Sequence, residues 1–345
     1  MPIIHYAFVW VIPALVALGL FLGGLWTWAT PLFVYGLVPL LETGLHGTQD
    51  NITPESETQR SQNSIANGLL YSLLPIQVLL LFTLVWRLQS FDAFELTGAI
   101  IGMGTMIGAI AINGAHELGH HTSRVAKIQA RFMLALSLYP HFSVEHNKGH
   151  HIRMATPEDP ATAHSGQWVY AFWFQSIWGG LKGAWQLERK RLQRLGQPHW
   201  NLHNGLLQDC LAVLTILVTT TWLAGISAVA VLVLVNTIGI LLLETVNYLQ
   251  HYGLQRSPLE TRGYERVGPA HSWTTNRPLS RALLFDLPRH ADHHIDDRRH
   301  YTNLRHLDGS PVLPQGYPAM ILLALVPPLF LPVMDRQIQE FRAQS

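Results

Sequence analysis

Long uncharged runs of apolar residues alternate along this chain with polar segments that are rich in histidine. A helix needs about 20 predominantly apolar residues to cross the hydrocarbon core of a bilayer. Apolar runs of this length without charge are much more typical of membrane spans than of helices buried in a soluble core. The pattern therefore predicts an all-α integral membrane protein. Its six predicted transmembrane helices lie at about 6–28, 31–42, 69–87, 95–114, 205–225 and 226–246.

Two other apolar segments, 166–185 and 318–333, are interpreted as interfacial or packing helices. A seventh or eighth span would disturb the distribution of cationic residues between the two sides of the membrane. Residues 43–67 are polar and rich in turn formers, so we expect an irregular connection there. We predict a single membrane-embedded catalytic domain over residues 1–345.

Lysine and arginine are concentrated in two regions. Of the 23 Lys and Arg residues, ten lie between residues 115 and 205 and eleven follow residue 247, while Arg60 and Arg87 are the others. Such residues accumulate on the cytoplasmic side of membrane proteins. With six spans and the N-terminus inside, only Arg87 faces the opposite side. We therefore predict a cytoplasmic cap formed by 115–204 and 247–345 on a bacterial inner membrane.

Composition excludes several classes of protein. The chain is 48% hydrophobic and 13% charged, and its net charge of +1 gives no indication of a nucleic-acid partner, so none is expected. A single cysteine, Cys210, excludes a disulfide framework and a four-cysteine metal module within this chain. Nineteen histidines against 23 Lys and Arg residues is an unusual ratio, which indicates a site built from imidazole.

Nine of the histidines fall into four clusters in the cap or at its edge. They are His116, His120, His146, His150, His151, His251, His290, His293 and His294. Side chains three and four residues apart share one helical face. We therefore expect His116 with His120, His146 with His150, and the histidines of the last cluster each to direct ring nitrogens to a common point. Adjacent side chains diverge by about 100° on an α-helix, so the pair His150 and His151 favours two neighbouring metal ions.

Nine imidazoles exceed the needs of one ion, since structural zinc takes four protein ligands and catalytic zinc takes three. We predict two metals, each with four or five imidazoles. Imidazole suits zinc, copper, iron and nickel. The lack of thiolate ligands argues against structural zinc, and carboxylates do not repeat with the histidines as they do in Glu-x-x-His di-iron bundles. Iron is the predicted metal and copper the alternative.

Two other functions stay open at this point. "HELGH" (116–120) matches the His-Glu-x-x-His signature of zinc proteases, and Asp308 offers a distant carboxylate. That alternative leaves the seven histidines of the other three clusters without a role. A metal transporter would need polar residues inside its spans, where this chain has few, since Asp209 and Glu244 lie near the span ends.

The histidine boxes have a characteristic order. They read His-x₃-His at 116–120, His-x₃-His-His at 146–151 and His-x₂-His-His at 290–294. Together they resemble the boxes of the membrane histidine-rich di-iron enzymes. "NYLQHYGL" (247–254) and "LRHLDGSPVLPQGYPAMI" (304–321) resemble the alkane 1-monooxygenase branch of that group in particular.

The chain departs from that branch at two positions. Gln250 stands where the family commonly has glutamate, and His121 stands where it usually has lysine. Xylene-type hydroxylases share the histidine boxes. The substrate class therefore stays open between an alkane, an arene methyl group, and a fatty acyl chain that would be hydroxylated or desaturated.

The resemblance implies six transmembrane helices below a cytoplasmic cap that holds two non-haem, histidine-ligated irons. It implies that O₂ hydroxylates the terminal carbon of a medium-chain alkane to a primary alcohol, while the second oxygen atom leaves as water. The electrons come from an external carrier of the rubredoxin type and its reductase, since one cysteine cannot make a four-cysteine iron site. No catalytic side chain beyond the metal ligands is expected.

The sequence also offers candidate residues around the ligands. Carboxylates beside the ligands are expected to hydrogen-bond the outer ring nitrogens and fix the tautomers. These are Glu117, Glu145 and Asp292. A hydrocarbon dissolved in lipid would enter between helices, and the candidate lining residues of its channel are Trp26, Trp28 and Phe33.

Overall fold

The computed structural model describes residues 1–261 and 263–344, and this part of the chain is helical, with isolated β-bridges and no strand. The long helices, numbered in chain order, are α1 (Ile3–Leu22), α2 (Gly24–Gly44), α3 (Ser64–Ser90), α4 (Ala93–His120), α5 (Arg124–Leu136), α6 (Val169–Arg194), α7 (Gly205–His251) and α8 (Pro327–Gln344). Shorter helices lie at Pro54–Ser61, Phe142–Glu145, His151–Arg153, Pro278–Leu283, His290–Ile295 and Tyr317–Ala324. π-helical turns occupy Phe33–Leu37, Ile107–Ile112 and His146–His150. The predicted all-α class is confirmed.

Five helices in the described residues are long and apolar enough to cross a membrane: α1, α2, α3, α4 and α7. These helices, with many apolar side chains on their outer faces, are those of an integral membrane protein. The first predicted span, 6–28, ends earlier than expected. Gly23 and Gly24 adopt φ angles of 69° and 56°, a region that favours glycine, and the chain turns there from α1 into α2.

Helix α7 contains both of the predicted spans at 205–225 and 226–246. Its 47 residues would measure about 70 Å if they formed a straight helix. The helix is instead interrupted at Gly225, where φ is 81° and ψ is 175°. Only glycine adopts this conformation readily, so the chain kinks at the boundary that the hydropathy pattern predicts.

Helices α4 and α7 pack closely where both carry glycine. A Cβ atom on Gly108 would meet the carbonyl oxygen of Gly239, so only glycine fits at this contact. Small residues let membrane helices approach each other at the backbone. The contact aligns the C-terminal ends of the two helices, which carry His116 and His251.

The segment predicted as an irregular connection, 43–67, contains the helix Pro54–Ser61. Proline suits the first helical position because it has no amide hydrogen to lose there. Asn63 caps the next helix, α3, by accepting hydrogen bonds from its first backbone amides. Arg60 donates to the carbonyl oxygen of Thr302 at 3.0 Å. The connection is therefore irregular over 45–53, helical over Pro54–Ser61, and fixed to the cap.

The segments interpreted as packing helices are helical and are not among the candidate spans. Residues 166–185 contribute most of α6, and Gly183 brings this helix against the side chain of Glu145. Residues 318–333 are divided between Tyr317–Ala324 and α8. Helix α6 therefore braces the segment that carries the second histidine box.

Candidate metal centre

The nine clustered histidines come together from four segments and form two adjacent groups. The five-histidine group contains His116, His120, His146, His151 and His293, and the four-histidine group contains His150, His251, His290 and His294. Within each group, ring nitrogens lie within 4.8 Å of one another. The histidines that the sequence pattern singled out thus form two clusters of nitrogen donors, each large enough to surround one ion.

Adjacent histidines belong to different groups, as the divergence of neighbouring side chains predicts. His150 lies in the four-histidine group and His151 in the five-histidine group, with their ring centroids 5.9 Å apart. His293 and His294 divide in the same way, at 5.6 Å. Two short segments therefore contribute to both groups and hold them side by side.

One expected pairing is wrong, because His146 and His150 do not share a group. Residues His146–His150 form a π-helical turn, in which residues five apart are brought together. His146 therefore faces His151, and their Nε2 atoms lie 3.0 Å apart. The π-helix decides which histidine of the second box joins which group.

The inward ring nitrogens lack ordinary partners. The Nε2 atoms of His120, His150 and His251 are buried and form no hydrogen bond among the described residues. The Nε2 atoms of His116 and His293 lie 3.0 Å from each other. Buried polar atoms without a partner are uncommon in native proteins. A metal ion in each group would satisfy them, so the residues present fit two ions.

The protonation states agree with metal binding. Burial, followed by the neighbouring rings, lowers the pKa of the cap histidines well below the usual value. This holds for His146, His151, His290, His293 and His294. The neutral imidazole is the form that ligates metals, and a set of neutral nitrogen donors suits iron, copper or zinc.

Comparison with known proteins also indicates a membrane enzyme with histidine boxes. Residues 93–324 match the family model described as fatty acid desaturase. Alkane 1-monooxygenase 1 of Pseudomonas aeruginosa is 38% identical over 326 residues, which are 92% of this chain and 84% of the relative. The alkane 1-monooxygenase of Pseudomonas putida is 37% identical over 309 residues, which are 88% of this chain and 76% of the relative.

The chain belongs to the alkane 1-monooxygenase family. The xylene/toluene monooxygenase hydroxylase component of Pseudomonas putida is a more distant relative, 26% identical over 342 residues that cover 97% of this chain and 89% of the relative. The region that matches the family model, 93–324, contains all the histidine boxes. Family membership and the convergence of the boxes therefore support each other.

The two departures from the alkane 1-monooxygenase pattern lie outside both histidine groups. Gln250 is buried, and its Nε2 donates to the hydroxyl of Tyr317 at 2.9 Å. The half-buried ring of His121 lies 5.8 Å from that of His300. Neither substitution therefore removes a member of the candidate centre.

The outer nitrogen of His150 has a carboxylate partner that sequence reasoning missed. The Nδ1 atom of His150 lies 2.9 Å from Oδ2 of Asp159. Burial alone would raise the pKa of Asp159, but His150 and the donating hydroxyl of Thr162 outweigh it and lower that pKa. An ionised carboxylate can only accept, so Nδ1 carries the hydrogen and Nε2 presents its lone pair to the group.

Two other outer partners were also missed. The Oγ atom of Ser272 lies 3.4 Å from Nδ1 of His251, and a carboxylate oxygen of Asp297 lies 3.7 Å from Nδ1 of His120. Asp159 is in the turn-rich segment "TPEDPATA" and has no periodic relation to His150. Only the fold brings such residues to the rings, so no local sequence signal identifies them.

The three carboxylates expected to bond the outer nitrogens have other partners instead. Glu117 accepts from the backbone amide of Tyr301 at 3.0 Å. Glu145 pairs with Arg153, and burial raises the pKa of Glu145 to about 7 despite that pair. Asp292 is bound by Arg305 at 2.8 Å and by Arg299 at 3.2 Å. A residue next to a ligand points about 100° away from it on a helix, so these carboxylates brace the segments and do not touch the rings.

Replacing Asp159 by asparagine should weaken metal binding to the four-histidine group by about 10- to 100-fold, the effect usual for an outer partner of a ligand. The amide can donate to Nδ1 and so allow the wrong tautomer. Metal titration of purified protein measures the change. Glu158→Gln is the matched control, since Glu158 is exposed one residue away. Equal affinities in the two variants would contradict the assigned role.

The predicted channel residues do not lie together near the histidines. Trp28 donates from Nε1 to the carbonyl oxygen of Phe94, near the start of α4, whereas His116 lies near its end. His116 follows Phe94 by 22 residues, which is about 33 Å of helix. Trp26 is 53% exposed, and Phe33 packs partly buried against the core. The two tryptophans therefore belong to the opposite end of the spans from the metal centre.

An apolar crevice lies closer to the histidines, between α1, α2, α4, α7 and the Tyr317–Ala324 helix. Its lining includes Ile12, Val34, Ala109, Leu242, Val246 and Ile321. Ala109 precedes His116 by seven residues, about 10 Å of helix, and Val246 precedes His251 by five residues, about 7.5 Å. The crevice, about 30 Å³ in volume, therefore lies inside the helix bundle near the helix ends that carry both groups, and none of its lining residues belongs to either group.

The metal-free protein should lose stability as pH falls from about 7 to about 5. Burial lowers the pKa of His141 to about 4 and that of His300 to about 3, while the same residues titrate near 6.5 in an unfolded chain. The unfolded state therefore binds more protons over this range, and acid favours unfolding. Thermal unfolding in detergent measures the slope. His141→Gln should make the slope shallower, whereas His203→Gln, at an exposed position, should leave it unchanged. A flat profile in the unaltered protein would refute the prediction.

Proposed function

We propose that this chain is a di-iron alkane 1-monooxygenase, which uses O₂ to hydroxylate the terminal carbon of a medium-chain alkane to a primary alcohol. The observation that carries the proposal is the pairing of two adjacent groups of buried imidazoles with an apolar crevice, in a chain of this family. The nine histidines would hold two non-haem irons, one in the five-histidine group and one in the four-histidine group.

Iron held by these histidines would supply the activation of O₂ that removal of hydrogen from an unactivated C–H bond requires. One oxygen atom enters the hydrocarbon and the other leaves as water, so each turnover takes two electrons and two protons. The chain contributes orientation and exclusion of water. The apolar crevice marks the side from which the hydrocarbon approaches, Asp159 holds the His150 ring in one tautomer, and the burial of the groups keeps bulk water out.

The electrons are proposed to come from an external carrier of the rubredoxin type with its reductase. Cys210 is the only cysteine, so this chain cannot supply a four-cysteine iron site of its own. Membranes that contain the protein should consume O₂ and alkane when both carrier and reductase are added. Turnover at the same rate without any added carrier would contradict the requirement.

The substrate class is tested by direct competition. The relatives include alkane 1-monooxygenases and, at lower identity, a xylene/toluene monooxygenase component, and the family model is that of fatty acid desaturases. Membranes supplied with octane, xylene and a fatty acid under ¹⁸O₂ should yield labelled 1-octanol as the main product. Labelled methylbenzyl alcohol, hydroxylated acid or a desaturated acid as the main product would replace the proposal by the corresponding alternative.

Six spans and a cytoplasmic cap are also proposed. Helix α7 supports the sixth span, because Ala224 shares a cavity with Trp86 near the end of α3, while His251 returns to the metal centre. Cationic residues support the orientation, since Arg87 is the one Lys or Arg among the described residues that lies beyond the far ends of the spans. In a Cys210→Ser background, a cysteine at Ser90 should react with an impermeant maleimide from the periplasmic side. A cysteine at Asn201 should not, and the reverse pattern would invert the topology.

Neither of the other functions explains the arrangement as well. Asp308 is exposed and belongs to neither histidine group, which argues against a single protease zinc. For a transporter, the acidic residues near the span ends are already engaged: Asp209 pairs with Arg131, and Glu244 accepts from Tyr139 at 2.7 Å. Metal that stays bound through purification would support the enzyme, and rapid exchange with free metal would favour transport.

A further inference from the structure

A polar cavity of about 460 Å³ opens beside the five-histidine group, between α5, the second histidine box, α6 and the start of α7. Its charged lining residues are Lys127, Arg131, Lys148, Glu188, Arg191 and Asp209. Gly119 and Asn147, which adjoin ligands of the five-histidine group, also line it. The proposed reaction uses none of the charged residues.

Two positive charges in this cavity are not balanced. Arg131 donates to Asp209 at 2.7 Å, and Arg191 donates to Glu188 at 2.9 Å, so these four residues form two ion pairs. The ammonium groups of Lys127 and Lys148 form no close ion pair or hydrogen bond with the described residues, although Lys148 is near enough to Glu188 to help lower the pKa of that carboxyl, so the six charged residues leave a net charge of +2. The cavity therefore favours an anion.

The level of the cavity in the membrane follows from two candidate membrane helices. Gly119 is the second-last residue of α4 and Gly205 is the first residue of α7, and both line the cavity. The ends of spans lie at the level of the lipid headgroups. An anion at this level is most simply the phosphate of a lipid.

A second, apolar cavity of about 190 Å³ adjoins the first, and the two share Arg131 and Asp209. Its other lining includes Ile128, Phe132 and Ala212, from α5 and α7. Ile128 and Phe132 are 54% and 56% exposed and lie four residues apart, on one face of α5. This face lies alongside the spans, so the groove is open to lipid chains.

We propose that the two cavities form one slot that binds a single anionic phospholipid. Its phosphate contacts Lys127 and Lys148, and one acyl chain lies in the groove between α5 and α7. Basic pockets between membrane helices on the cytoplasmic side recognise such headgroups. A zwitterionic lipid neutralises less of the excess charge, and a free phosphate leaves the groove unfilled, so both should bind more weakly.

The test is lipid retention by the metal-loaded protein, measured by native mass spectrometry after exchange into phosphatidylglycerol or phosphatidylcholine. The chain has four lysines, which provide a matched control. Lys127→Gln with Lys148→Gln removes both cavity charges, whereas Lys182→Gln with Lys190→Gln removes two exposed charges of α6. The unaltered protein and the control should each retain one phosphatidylglycerol. The cavity pair should retain it about 25-fold less well, since each lysine near an anionic headgroup contributes about a factor of five.

A further variant separates a lipid from a free anion. Ala212→Trp fills the groove without changing charge, so it should weaken phosphatidylglycerol binding and leave competition by inorganic phosphate unchanged. Unchanged metal content in every variant checks that the protein is folded. The proposal is overturned if the two lysine pairs behave alike, if phosphatidylcholine is retained equally well, or if Ala212→Trp has no effect on lipid retention.

Discussion

Replacing His293 by alanine should remove the metal of the five-histidine group, and replacing the adjacent His294 should remove that of the four-histidine group. The two residues are neighbours in sequence, but their rings face different groups. Each variant should retain about one iron per chain, and the remaining ions should differ, because their ligand sets differ. Loss of a residue that hydrogen-bonds a ligand usually lowers activity about 10- to 100-fold. Alkane hydroxylation should fall further than that in both variants, because each loses a ligand.

Iron content and the ⁵⁷Fe Mössbauer spectrum of each purified variant measure this result. His164→Ala is the control, since His164 is exposed and lies in neither group. It should keep two irons and full activity. Identical residual spectra in the His293→Ala and His294→Ala proteins would contradict the division into two groups.

The second large effect is expected in the apolar crevice. Ala109→Phe places an aromatic ring about two helical turns from His116, in the path proposed for the hydrocarbon. Even a single methylene changes selection in an apolar pocket by about 10- to 200-fold, so hydroxylation of octane should fall at least about 100-fold. Metal content should not change, because the ring lies away from the ligands.

Product formation from alkanes of increasing length measures the effect, which should grow with chain length. Ala230→Phe makes the same change on an exposed position of α7 and should leave turnover unaltered. If Ala109→Phe hydroxylates every alkane at the unaltered rate, the hydrocarbon approaches by another route.

Much of the fold follows from the hydropathy pattern, but its turns depend on particular backbone conformations. The uncharged runs predict the helices, and the pattern also places the interruption of α7 at Gly225. It does not place the first break, because the positive φ angles of Gly23 and Gly24 override an apolar run that continues to Trp28. The helix Pro54–Ser61 was missed since its residues are polar and its support comes from contacts with the distant cap.

The candidate site was likewise predicted in part from local sequence patterns. All nine clustered histidines converge, and eight of them lie in the three boxes, whose spacing is a strong local signal. Their division between groups was not predictable in full, since the π-helical turn pairs His146 with His151 where α-helical spacing expects His150. Asp159 reaches His150 only through the fold. The position of Trp26 and Trp28 at the far end of the bundle was not predicted, because an apolar sequence does not specify depth in the membrane.

Metal analysis joined to X-ray absorption spectroscopy of the purified, unaltered protein tests the central claim most directly. The account predicts two irons per chain, both surrounded by imidazole nitrogens with no sulfur ligand. One zinc per chain would contradict it, and so would full activity after the iron has been removed.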